Sequence, residues 1–273
     1  FREKVDNAVT AGYDGVIIFN EGQPGREEMF VGTLSPPLAP VPVLGLSYQD
    51  AVALTEAMAE GDVVMSMAAD VEYDPDAKTK NIIADSRQGD PDKVLVVGAH
   101  LDSVPAGPGI NDNGSGAAGI LEIAEELAEL KGPKLRQKVR FAFWGAEESG
   151  LLGSEHYVDS LGDEGIHSIF ANLNFDMIGS TNYVRFVYDG DGSSTTDPAT
   201  GQPVAGPPGS AQIEDLFNRY FASQGLATEP TAFDGRSDYG PFIAVGIPAG
   251  GLFSGAEEIK TPAQAQIYGG TAG

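Results

Sequence analysis

The sequence predicts an α/β fold in which an open sheet carries a site at the carboxyl ends of its strands. Three stretches predict it: KVLVVGAHLDS (Lys93–Ser103), VRFAFWGAEESG (Val139–Gly150) and IFANLNFDMIG (Ile169–Gly179). Each is an apolar, strand-like run that stops at titratable residues. In open α/β sheets ligands bind outside the strand carboxyl ends. His100, Asp102, Glu147, Glu148 and Asp176 are therefore expected at one edge.

The elements follow in order. Val5–Thr10 reads as a helix and Gly15–Asn20 (GVIIFN) as a strand. A polar loop, Glu21–Gly32, and a Pro-rich stretch, Ser35–Pro42, come next. Val43–Leu46 is a second short strand, and Ser47–Glu60 a helix with Ser47 as its cap. Val63–Val71 and Asn81–Asp85 are expected as the first strands of the larger sheet, with a turn over Tyr73–Thr79. Val94–Val97 has the β-branched pattern of a fully buried strand. A Pro/Gly-rich loop, Val104–Gly109, leads to Asn111-Asp112-Asn113-Gly114. From Ser115 the period becomes helical: Ile120, Ile123, Ala124, Leu127 and Leu130 share one side, and Glu122, Glu125, Glu126 and Glu129 take the others. Lys131-Gly132-Pro133 ends that helix. Val184–Tyr188 reads as a strand, Gln212–Ser223 as an amphipathic helix, and Phe242–Val245 as another strand.

Imidazole and carboxylates together form a ligand set for zinc. On an extended segment His100 and Asp102 point the same way, so Asp102 could accept the second imidazole N–H and fix its tautomer. Alone, His100 reads rather as a satisfied core histidine, and Asp112 as a helix cap or Asx turn. Glu147 and Glu148 weigh against that. Adjacent carboxylates after a buried strand repel unless a cation or a proton lies between them. A metal would divide their roles, one ligating and the other taking a proton from water. His156 and His167 have no matching partners and read as non-ligands. Asp189 and Asp191 offer oxygens suited to calcium (Ca2+), yet they fit no complete loop pattern.

Composition narrows the classes. A net charge of −24 argues against nucleic acid and anionic membrane surfaces as partners. With no cysteine there is neither a disulfide nor a thiol nucleophile. No apolar run reaches membrane-spanning length, and no signal peptide is visible.

AHLDS, NDNGSG, FWGAEESGLLGS, NLNFDMIG and GRSDYGPF resemble, in that order, the motifs of the secreted bacterial leucine aminopeptidases. These are di-zinc exopeptidases, and the resemblance spans Val63–Gly273. It implies a mixed, mostly parallel β-sheet sandwiched by helices, with a catalytic domain over residues 62–273. It implies that His100, Asp112 and Asp176 hold one zinc ion (Zn2+), and that Asp112 bridges to a second that Glu148 also binds. Glu147 would be the general base and Asp102 the support of His100. Arg236 would help position substrate, while Met177, Gly235 and Phe253 would line the pocket for a large apolar first residue. The resemblance further implies a cis bond between Asp112 and Asn113. It points to a secreted monomer acting on peptides with a free N-terminus. In the family a histidine near the carboxyl end completes the second zinc site. None of the three histidines here lies beyond His167, so that site is expected to be incomplete and the chain to be cut at both ends. FREKVDNAVTAGYDGVIIFN and VPVLGLSYQDAVAL resemble the later half of a protease-associated (PA) domain, a small β-rich insert, over residues 1–61. Three other readings stay open. One is a glutaminyl cyclase-like enzyme with one zinc, another a carboxypeptidase of related fold using Arg236, the third a non-catalytic receptor-like module. Retention of Glu147 with all four ligands speaks against the third.

Overall fold

The structure is a computed structural model that describes the chain except residues 24–25, 30–31, 33, 35–36, 72–73, 75, 131–134, 197–200 and 257. The Lys131-Gly132-Pro133 stop lies outside the described residues, as do parts of the Glu21–Gly32, Ser35–Pro42 and Tyr73–Thr79 segments. The chain divides into two compact units, Phe1–Lys78 and Thr79–Gly273.

In the first unit α1 (Arg2–Thr10) buries Val5. Strands β1 (Val16–Ile18) and β2 (Val43–Gly45) pair in parallel. A parallel pair needs a crossover of a dozen or more residues, which the segment between them provides. Helix α2 (Tyr48–Glu60) starts where Ser47 Oγ accepts the Asp50 N–H at 3.1 Å. The expected strand over Val63–Val71 does not form, and Val64 is 96% exposed. An apolar run becomes a strand only when a neighbouring ladder takes up its backbone groups, and none among the described residues does so here.

The second unit holds a seven-stranded sheet in the order β3-β5-β4-β6-β9-β7-β8. Its strands are β3 (Ile82–Asp85), β4 (Asp90–His100), β5 (Gln137–Trp144), β6 (Ile169–Phe175), β7 (Phe186–Tyr188), β8 (Glu229–Thr231) and β9 (Ala249–Phe253). The central strands β5, β4, β6 and β9 run parallel, while β3 pairs antiparallel to β5 and β7 antiparallel to β9, with β8 parallel to β7. The helices are α3 (Gly114–Glu129), α4 (Leu152–Ser168), α5 (Ser210–Ser223), α6 (Gly240–Ala244) and α7 (Pro262–Tyr268).

Alternation along β4 sends side chains into two cores. Val94 and Val96 join Trp144, Tyr157, Val158 and Phe242, under α4 and α6. Val97 and Ala99 join Ile120, Phe141 and Phe175, with Phe217 packed beside them, under α3 and α5. The sheet is thus covered on both faces, which is why its central strands read as continuous apolar runs.

Phe242–Val245 is not the expected strand. Phe242 lies in α6, with Pro241 at the helix start, where its fixed φ suits the first turn. Its ring packs 6.0 Å from both Trp144 and Tyr157. Conversely, AGGLF forms β9, which the glycines hid from the sequence pattern. A Cβ on Gly250 would lie 2.6 Å from Ile213 of α5, so the glycine lets helix and sheet meet closely.

Candidate metal centre

Strand register brings the polar residues together. His100 pairs with Trp144 across β4 and β5, and Gly98 with Asn174 across β4 and β6. The turn after β5 therefore delivers Glu147 and Glu148, and the end of β6 delivers Asp176, beside His100. Two residues that shape these turns are left-handed without being glycine: Ala146 (φ 59°) before Glu147 and Met177 (φ 51°) after Asp176. Such a conformation costs roughly 1–2 kcal/mol in an L-residue. Hydrogen bonds hold it in both cases. Leu152 N–H reaches Ala146 O at 3.0 Å. Met177 N–H reaches Asn113 Oδ1 at 3.2 Å, and Met177 O accepts from Ser254 N at 2.9 Å.

Asn113 fixes the loop before α3. It is buried, caps the helix through Gly116 N–H at 3.0 Å, and donates to Phe175 O at 2.9 Å. A Cβ on Gly116 would meet that same carbonyl at 2.1 Å, which explains the glycine. Asn111 and Ser115 continue the brace, accepting the Gly179 and Ile178 N–H groups, each at 3.0 Å. The peptide bond between Asp112 and Asn113 is cis.

His100 is 1% exposed. Its Nε2 faces two carboxylates, Asp112 Oδ1 at 3.1 Å and Asp176 Oδ1 at 3.2 Å. Burial pulls the imidazole pKa down, but the bonds to Asp112 and Asp176 more than offset this and push it up to about 11. Nδ1 lies 3.0 Å from the backbone carbonyl of Asp102, and 3.7 Å from its carboxylate. The main chain, not the Asp102 side chain, is thus the closer acceptor. The Asp102 carboxylate is engaged elsewhere, accepting Glu147 N–H at 3.0 Å and Glu148 N–H at 3.1 Å. It fixes the turn that carries both glutamates.

Burial pushes the Glu147 carboxyl up to about 9; His100 opposes this, while Asp238, Asp176 and Glu148 reinforce it. Burial also raises Glu148, with Asp112 adding to it. Ser237 is a further contributor, absent from the expected site residues. Its hydroxyl donates to Asp176 Oδ2 at 2.6 Å and accepts from Asn174 Nδ2 at 2.9 Å. Only a serine following the GR turn hinted at it.

Ligand atoms of His100, Glu147 and Asp176 all lie within 4.8 Å of one another. Glu148 Oε1 is buried with no protein partner among the described residues. Several acids converging on one imidazole, with an unpartnered oxygen among them, fit a cation, and the imidazole–carboxylate donor set fits zinc.

Asp112, Glu147, Glu148 and Asp176 line one end of a cavity of about 390 Å³. Met177, Arg236 and Phe253 line it too, as do Tyr188 and Tyr239, which the sequence reading missed. Gly235 lines a neighbouring groove with Leu151, Phe233 and Ile243 instead. At φ 80° it makes the turn that brings Arg236 round to the cavity. His156 is exposed on α4, and His167 at its end lies 2.6 Å from Asp163 O. Asp189 and Asp191 do meet a third acid, Glu214. Both Asp189 oxygens already accept backbone N–H groups, from Ser193 at 3.0 Å and Ser194 at 2.9 Å.

The sequence model of Peptidase family M28 matches residues 81–268, and that of the PA domain residues 1–54. Leucine aminopeptidase 2 of Trichophyton equinum is 47% identical over 273 residues, which are 100% of this chain and 52% of that protein. An aminopeptidase of Pseudomonas aeruginosa (strain UCBPP-PA14) is 48% identical over 277 residues, covering 100% of this chain and 49% of that protein. The chain spans about half the length of the curated relatives it matches. Among solved structures, a zinc aminopeptidase from Bacillus subtilis matches 98% of this chain and 61% of its own, at a TM-score of 0.65 and 28% identity. An aminopeptidase from Aneurinibacillus sp. strain AM-1 matches 93% of this chain and 57% of its own, at 0.66 and 27%.

Proposed function

The chain belongs to peptidase family M28, and from that premise we propose that it is a zinc-dependent aminopeptidase removing the first residue of peptides with a free amino terminus. The observation that carries this is the convergence of His100 Nε2 on Asp112 and Asp176, in a cavity shared with Glu147 and Glu148. His100, Asp112 and Asp176 would hold one zinc ion, and Asp112 with Glu148 a second. When bound, zinc supplies a Lewis acid that polarises the scissile carbonyl and acidifies water to a pKa of about 7.

Glu147 takes a proton from the attacking water and returns it to the leaving amine. Asp102 holds Glu147 in place through the two backbone N–H groups it accepts. The carboxylates at this end of the cavity attract the substrate's α-ammonium group, which selects for a free terminus. Arg236 positions the peptide, and Met177 and Phe253 contact an apolar first side chain. Gly235 acts by shaping the Arg236 turn. The enzyme would act as a secreted monomer. No helix among the described residues is long and apolar enough to cross a membrane.

The test is metal analysis joined to hydrolysis of leucine p-nitroanilide and its N-acetylated form. The free amine should be cleaved and the acetylated compound should not. A chelator should abolish cleavage and zinc restore it. Cleavage of the acetylated compound, release of a carboxyl-terminal residue, or cyclisation of a Gln-initiated peptide in place of cleavage would each overturn the reading.

A further inference from the structure

Asp238 is 0% exposed, and neither of its carboxylate oxygens meets a protein donor among the described residues. The Ser154 hydroxyl lies close enough to draw its carboxyl pKa down, but the hydrogen bond it makes is to Leu151 O, at 3.1 Å. Its neighbours in the chain, Ser237 and Tyr239, both line the catalytic cavity. Asp238 itself does not, so it lies behind the wall that they form. Ser237 also ties this segment to Asp176 at 2.6 Å. A buried charge without a hydrogen-bond donor is among the costliest features a fold can carry. The charges that act on Asp238 are those of the centre: His100, Asp176 and Asp102. Burial pushes its carboxyl up to about 7, and its own field reaches Glu147.

We infer that Asp238 is an outer counter-charge of the centre, a carboxylate that tightens divalent-cation binding without ligating the ion. The inference rests on the metal centre proposed above. A divalent cation held by His100 and its carboxylates would put more positive charge near Asp238 than the His100 imidazole does alone. Coupling between two charges is reciprocal. If the cation stabilises Asp238, Asp238 stabilises the bound cation by the same factor. Without the cation, His100 is the one attractive charge acting on Asp238, against burial and the repulsion of Asp176 and Asp102. The residue should therefore have opposite effects on the two forms of the protein, which a packing residue would not.

The experiment compares wild type with Asp238→Asn, of the same shape but uncharged, and with Asp163→Asn, an exposed acid on α4. Zn²⁺ affinity is measured by competition with a chromophoric chelator at pH 8, and melting temperature with and without Zn²⁺. Asp238→Asn should bind Zn²⁺ about tenfold or more weakly, within the range for residues behind metal ligands. Its metal-free form should melt at the wild-type temperature or above, and Asp163→Asn should match wild type throughout. Unchanged Zn²⁺ affinity in Asp238→Asn overturns the inference. So does a metal-free Asp238→Asn that melts lower or fails to fold, or an equal affinity loss in Asp163→Asn. Wild type that binds no Zn²⁺ would instead remove the proposed centre itself.

Discussion

Replacing Asp102 by alanine separates two roles that its position allows. If its side chain served mainly to orient His100, truncation would act on metal binding first. The geometry says otherwise, because His100 Nδ1 lies 3.0 Å from the Asp102 backbone carbonyl, which alanine retains. What alanine removes is the pair of bonds to Glu147 N–H and Glu148 N–H, at 3.0 and 3.1 Å. Hydrogen bonds to charged groups contribute about 1.5–3 kcal/mol each. Two would give about 3–6 kcal/mol, and water entering the half-buried turn recovers part, leaving a loss of roughly 2–4 kcal/mol. The sole tryptophan, Trp144, ends β5 just before this turn, so its fluorescence reports unfolding of this unit. Urea titration of metal-free protein should show the loss. Leucine p-nitroanilide turnover should also fall, by about 10²-fold, the cost of misplacing a reacting group by about 1 Å. Destabilisation below about 0.5 kcal/mol together with near-normal kcat would refute the reasoning, since bonds of this kind to a charged group are worth more than that.

Other substitutions probe separate parts of the molecule. Glu147→Gln should keep its zinc, measured by metal analysis, and lose about 10²–10⁴-fold in kcat, the usual contribution of a general base; near-normal turnover would end that assignment. Phe242→Ala should cost about 3–5 kcal/mol, because the ring is fully buried between Trp144 and Tyr157; a melting temperature close to wild type would show that the cluster collapses around the gap. Asp85 is held below its ordinary pKa of 3.8 chiefly by its hydrogen bonds from Arg140, at 2.7 Å. A lowered carboxyl stabilises the fold fully above that ordinary value and loses its contribution as pH falls through the native one. Wild type should thus exceed Asp85→Asn in thermal stability at neutral pH and converge with it in acid; a gap that widens on acidification would contradict the pairing.

Much of the site was legible because its signals are local. His100, Glu147 and Asp176 each end an apolar run, and parallel strands of one sheet must place such ends together. Ser47 announced α2, and the spacing of Ile120, Ala124 and Leu127 announced α3. Failures came where the deciding partner lies far off in sequence. Val63–Val71 has a strand's composition, but its ladder partner is not set by its own residues. Phe242 sits in a short apolar run whose helical form depends on Pro241 and on the Trp144–Tyr157 cluster that receives the ring. Gly250 and Gly251 read as breaks, yet they are what lets β9 lie under Ile213.

The sequence by itself determined the chemistry at hand: one imidazole and several carboxylates, ordered along an α/β chain, with no thiol to compete. Periodicity is a property of neighbours three, four or two residues apart, so it survives in the bare sequence. The tertiary structure alone decided how those groups are used. It set Asp102 on the glutamate turn, joined Ser237 to Asp176 across 61 residues, kept Gly235 out of the cavity, and buried Asp238 behind its wall. Each is a contact between segments distant along the chain, and such contacts exist only once the sheet register has been fixed.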